Sequence, residues 1–80
     1  MKFIEILKMK SAIFHGTEVH VPEHIKYIAS DKSGKVIGFE KEPVPDAEFE
    51  WWDNPTGDDM YDIGTVDLEG TNWTETLVIL

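Results

Sequence analysis

The chain has no cysteine and no arginine, and its longest apolar run is the four residues Leu77 to Leu80. Each absence excludes something. Without cysteine there is no disulfide to staple a small fold and no thiolate to hold a metal or attack a substrate. Without arginine, and with a formal charge of −9, the chain lacks the cations that neutralise nucleic-acid phosphates. A run of four apolar residues is far short of the roughly 20 needed to span a membrane as a helix. The first ten residues, MKFIEILKMK, open with a base. Charges interrupt their apolar run and no small-residue cleavage site follows, so no signal peptide is expected. The expectation is an intracellular, cytoplasmic protein with no membrane contact and no direct contact to nucleic acid.

Eighty residues form one domain, spanning 1–80. A chain of this size buries roughly 60–65% of its unfolded surface, so its stability margin is thin. With no staple available, a homodimer is one expected source of added stability.

The charge is unevenly placed. Through Lys41 there are seven lysines and five acids, a balance of +2; from Glu42 onward there are eleven acids and no base, a balance of −11. An acidic half of this kind creates a field of one sign and favours a basic partner.

The strongest local pattern is IKYIASDKSGKVIGFE. Asp31 opens a turn and Gly34 supplies its left-handed position, giving a type I turn with a glycine bulge. Counting outward from the Asp31–Lys35 pair, Ala29 meets Ile37 and Tyr27 meets Phe39 on one face. Lys26 meets Glu40 on the other, as an opposite-charge pair. A one-residue slip would lose both matches. Upstream, FIEIL is rich in β-formers. SAIFHGTEVHVP predicts a second hairpin or a bent strand about His15-Gly16-Thr17, with Val19 and Val21 inward and Glu18 and His20 outward.

Downstream, the two prolines of KEPVPD predict a connector. EFEWW alternates as a strand, with Phe49 and Trp51 on one face and Glu48, Glu50 and Trp52 on the other. DNPTGDD is a loop, YDIGTVDL a strand interrupted at Gly64, and EGTN a turn. WTETLVIL carries two signals: Asn72 and Glu75 have capping-box spacing, whereas Thr74, Thr76, Val78 and Ile79 favour a strand, the preferred reading. The fold class is mainly β: a small curved antiparallel sheet or open barrel of five to six short strands with at most one short helix.

Few residues invite chemistry. His15, His20 and His24 have no zinc-ligand spacing and read as solvated strand and turn residues. Neither Asp53 nor Asp58 starts an EF-hand loop, because the third position would be Pro55 or Met60. Paired carboxylates acting as general acid and base would need a dry pocket that a domain this small has little volume to build. No catalytic residue, metal site or cofactor is expected, and the chain is read as a non-enzyme.

The aromatic acidic stretch FEWWDNPTGDDMYD is the candidate surface. Adjacent residues on a strand point to opposite faces, so Trp51 and Trp52 cannot enter the same core. An outward indole ringed by acids is a good anchor for a protein partner. The expected partner-binding residues are Glu48, Glu50, Trp52, Asp53, Asp58, Asp59, Tyr61 and Asp62. Their carboxylates raise a sharper idea, imitation of a row of backbone phosphates in the DNA groove of an enzyme.

The stretch VPEHIKYIASDKSGKVIGFEKEPV, followed by a Trp-Trp pair and a closing WTETL, resembles small uncharacterised accessory proteins of tailed bacteriophages, of the host-takeover or anti-defence type. The matching positions are Val21, Pro22, Tyr27, Ile28, Ala29, Asp31, Gly34, Val36, Phe39 and Pro43. Trp51 or Trp52 and Trp73 match more loosely. The resemblance covers about a third of the chain and brings no catalytic residues. It implies a β-rich fold in the cytoplasm of a host cell. It also implies a host protein as partner, a restriction enzyme or other defence factor, inhibited stoichiometrically. The alternative is a homodimeric structural or assembly module with no host target.

Overall fold

The computed structural model describes residues 1–2, 8–57 and 59–80. The strand expected over FIEIL and the candidate site residue Asp58 lie outside the described residues. The protein is mainly β. Strands β1 (Met9–Phe14) and β2 (Thr17–Pro22) form a hairpin; β3 (Tyr27–Ser30) and β4 (Lys35–Phe39) form a second. β5 (Val44–Asp46) and β6 (Trp51–Asp53) form a small third one. β7 (Met60–Thr65) and the two-residue β8 (Val78–Ile79) flank the second hairpin, giving an antiparallel four-stranded sheet in the order β7-β4-β3-β8. Among the described residues the helical content is one 3-10 turn, Trp73–Glu75. The short β5 and β8 bring the strand count among the described residues to eight, against the five or six expected.

Local chemistry explains both long hairpins. His15 and Gly16 take φ of 47° and 84°, the two left-handed residues of a type I′ loop, whose twist matches that of the flanking strands. Val21 is buried and Val19 half-buried, while Glu18 and His20 are exposed, as alternation predicts. In the β3–β4 hairpin, Tyr27 pairs with Phe39 and Ala29 with Ile37. The Asp31 carbonyl accepts from Gly34 N at 3.0 Å, and its carboxylate oxygen accepts from Ser33 N and Lys35 N at 3.0 and 3.1 Å. Gly34 sits at φ 91°. A Cβ there would lie 2.2 Å from the Val66 carbonyl oxygen, so the position needs glycine for space as well as for φ.

Two expectations for this hairpin change. The ladder stops at Tyr27–Phe39, and among the described residues Lys26 and Glu40 form no ion pair. The second face is buried rather than charged. Ile28 and Val36 pack with Phe14, Val21 and Ile25 beneath the β1–β2 hairpin, while Ala29 and Phe39 pack with Trp52 and Trp73 on the other side. A strand covered on both faces reads as a continuous apolar run, and Tyr-Ile-Ala and Val-Ile-Gly-Phe have that character.

The connector expected at KEPVPD is also corrected. Val44–Asp46 pairs with β6, Pro45 lying opposite Trp52. Proline forbids a ladder on its N–H side only, and β5 is paired on one side, at an edge. At the C-terminus both signals are realised in turn. The Asn72 side chain caps the 3-10 turn through Thr74 N at 3.0 Å, and the chain then extends into β8 along β3. Among the described residues, no helix is long and apolar enough to cross a membrane.

Candidate functional site

The EFEWW segment is a turn followed by a three-residue strand rather than one strand. Asp46 organises the turn. Its carboxylate oxygen accepts from Glu48 N at 3.0 Å and Phe49 N at 3.3 Å, and its carbonyl accepts from Glu50 N at 2.8 Å. Glu50 closes the turn at φ 60°, a left-handed conformation that is costly for a residue with a Cβ. Two contacts hold it there: Lys32 N donates to the Glu50 carbonyl at 3.1 Å, and the Lys32 ammonium pairs with the Glu50 carboxylate. The 46–50 turn is thereby docked on the 31–34 turn, with a shallow groove between them bordered by Ser33, Phe49 and Trp51.

The turn also sets the aromatic geometry. Phe49 stacks on Trp51 with ring centroids 5.1 Å apart and planes 23° apart. Both rings stand in solvent, Phe49 60% and Trp51 49% exposed. Trp51 shares the outer face of the β5–β6 pair with Asp46, directly opposite, and with Val44 and Asp53, an exposed pair one step along the ladder. The platform is thus aromatic and aliphatic with acids at its margin.

Trp52, named among the expected partner-binding residues, is the inward indole. It is 8% exposed, its Nε1 donates to the Ser30 carbonyl at 2.8 Å, and its ring meets Trp73 edge-on at 5.9 Å. Alternation correctly separates the two indoles but assigns neither to the core. The side of β6 that faces β3 is decided by how the 46–50 turn docks. No protein-family model, curated protein or solved structure matches the chain.

The remaining expected site residues do not form one surface. Glu48 and Asp53 are exposed near Trp51, whereas Glu50 is neutralised by Lys32. Tyr61 is half-buried against the Ile28–Val36 side of the four-stranded sheet, opposite the side that Trp52 covers. Asp62 lies 3.5 Å from the Lys35 ammonium, and Asp59 lies 3.6 Å from the His24 imidazole. The acidic half is therefore not without counter-charge: β7 and the 46–50 turn return to the lysines of the 31–35 turn. Sequence reasoning missed this because Lys32 and Glu50 are 18 positions apart, and only the fold makes them neighbours.

Among the histidines, His15 Nε2 donates to the Thr76 carbonyl at 2.8 Å, and His20 sits beside Glu18 in solvent. His24 stands with Glu40 and Asp59, one donor atom of each lying within 4.8 Å of the others.

Proposed function

We propose that the protein is a non-enzymatic binding protein that docks on another protein through the Phe49–Trp51 platform and blocks its action. The observation that carries this reading is the solvent-facing stack of Phe49 on Trp51. Holding two large apolar rings in water is unfavourable by itself. Rigid, pre-stacked aromatics are also the side chains that dominate protein interfaces, because little entropy is lost on contact. Glu48, Asp46 and Asp53 border the platform, and the net charge of −9 favours a partner with a basic rim. The resemblance to phage accessory proteins supports a host protein as target, a defence factor that handles nucleic acid being the class it implies. Imitation of DNA would need a row of free carboxylates. Because Glu50 and Asp62 are engaged by Lys32 and Lys35, this reading rests on the rings more than on the charges.

Affinity capture from host lysate with the untagged surface intact tests the proposal. A Phe49→Ala, Trp51→Ala double variant is expected to lose a specific partner that the wild type and an Ile13→Ala control retain. Equal capture by all three would refute the platform. Competition of the captured complex with duplex DNA reads out mimicry directly. A tight dimer by light scattering that the double variant dissolves, with no captured partner, would replace inhibition with self-assembly.

A further inference from the structure

We propose that His24, Glu40 and Asp59 form a divalent transition-metal site, of the class that zinc occupies. The three come from separate segments: the turn after β2, the residue that follows β4, and the residue that precedes β7. Their convergence is fixed by one buried residue, Phe39. Lys26 N donates to the Phe39 carbonyl at 2.9 Å, which ties the His24 turn to the end of β4; Glu40 follows Phe39 directly; and Met60, next to Asp59, is the ladder partner of Phe39. The His24 turn is closed further by Ile25 N donating to the Pro22 carbonyl at 3.0 Å and by Glu23 N donating to the Lys8 carbonyl at 2.9 Å. The backbone under all three donors is therefore pinned by the sheet.

The donor geometry suits a small cation. Bonds of about 2.0–2.2 Å place neighbouring tetrahedral donors about 3.4 Å apart. The His24 Nε2 to Asp59 Oδ2 distance is 3.6 Å, and all three donor atoms lie within 4.8 Å of one another. Asp59 is exposed, so rotation of its side chain can close the remainder.

The electrostatics point the same way. Glu40 is half-buried, and its carboxylate is held within 4.8 Å of that of Asp59. Two carboxylates held this close repel, and a divalent ion balances both. An imidazole in the set selects zinc-like metals over calcium and magnesium, which prefer oxygen alone. Three protein donors leave a fourth position to water or to a donor from another molecule.

Calorimetric titration of the full, untagged chain with zinc chloride tests the site. One ion per chain is expected to bind saturably, raising the melting temperature and shifting the His24 imidazole resonances in NMR. Loss of an outer partner in metal sites costs roughly 10–100-fold in affinity, and His24→Ala, which removes a ligand, is expected to cost more. Glu40→Gln and Asp59→Asn, which keep shape, are expected to weaken binding. His20→Ala, at the exposed Glu18 pair, leaves it unchanged. Absence of saturable binding up to millimolar zinc would overturn the site, as would binding that His24→Ala leaves intact or His20→Ala abolishes. Saturation by calcium or magnesium in preference to zinc would overturn the metal class. Near-UV circular dichroism of each variant establishes that it is folded. If His24→Ala does not fold, the Glu40→Gln and Asp59→Asn affinities decide, and wild-type values for both overturn the site.

Discussion

The Trp52 indole N–H donates to the Ser30 carbonyl at 2.8 Å, across 22 positions of sequence. Ser30 is the last residue of β3, fully buried, where the two-residue β8 is too short to complete the ladder. Its backbone is satisfied by side chains instead. The carbonyl takes the Trp52 indole, and Ser30 N donates to the Thr76 hydroxyl at 2.9 Å. Buried backbone groups are costly to leave unpaired, so this arrangement ties the β5–β6 hairpin and the C-terminal segment to the sheet end.

Trp52→Phe removes the donor and leaves space beside Trp73. The expected loss of unfolding free energy is about 1.5–3 kcal/mol. Trp51→Phe, on the exposed face, is expected to change stability by less than about 0.5 kcal/mol. Urea unfolding of both variants checks the contrast, and a larger effect at Trp51 would reverse the assignment of inner and outer indole.

Thr76→Val keeps the side-chain shape but deletes the hydroxyl that Ser30 N uses, and which also lies 2.7 Å from the Trp73 carbonyl. A buried N–H would be orphaned, at a cost of about 1–3 kcal/mol. Thermal unfolding and amide exchange at Ser30 measure it. Unchanged protection of that amide would mean that another acceptor takes over.

Gly34→Ala meets two obstacles, a φ of 91° and the Val66 carbonyl oxygen 2.2 Å from the new Cβ. The left-handed conformation alone costs about 1–2 kcal/mol, and the clash adds to it by prising apart the Val66 N to Gly34 carbonyl bond of 2.8 Å. Chemical denaturation is expected to show a loss greater than the conformational cost. A neutral substitution would place the 65–68 segment elsewhere.

Glu50 combines φ 60° with an exposed ion pair to Lys32. Exposed pairs contribute about 0–1 kcal/mol, whereas a β-branched residue in left-handed backbone is strained by about 1–3 kcal/mol. Glu50→Val is therefore expected to be less stable than Glu50→Gly by about 1–2 kcal/mol. Equal midpoints in paired urea titrations would show that the 46–50 turn does not require this conformation.

Acrylamide quenching separates the three indoles by exposure. Trp51 is 49% exposed, while Trp52 and Trp73 are 8% and 9% exposed. Trp51→Phe is expected to remove most of the readily quenched, red-shifted emission, and Trp52→Phe to remove shielded emission. The opposite pattern would contradict the packing around Ser30.

The sequence by itself determined the β3–β4 hairpin with its register, and the bend at His15-Gly16 that the structure shows to be a second hairpin. Turn chemistry is local: Asp31 and Gly34 fix one loop, His15-Gly16 the other, and period-two alternation then places Ala29 opposite Ile37 and turns Val21 inward. It also determined that Trp51 and Trp52 part company. Only the tertiary structure decided which of them is buried, because alternation defines two faces but not which one meets the core; that depends on a turn docked through Lys32 and Glu50. The same distance in sequence hid the second buried face of the β3–β4 sheet, the lysines that neutralise Glu50 and Asp62, and the meeting of His24, Glu40 and Asp59 around Phe39. Local pattern carries the geometry of neighbours along the chain, while charge balance, burial and donor convergence belong to neighbours in space.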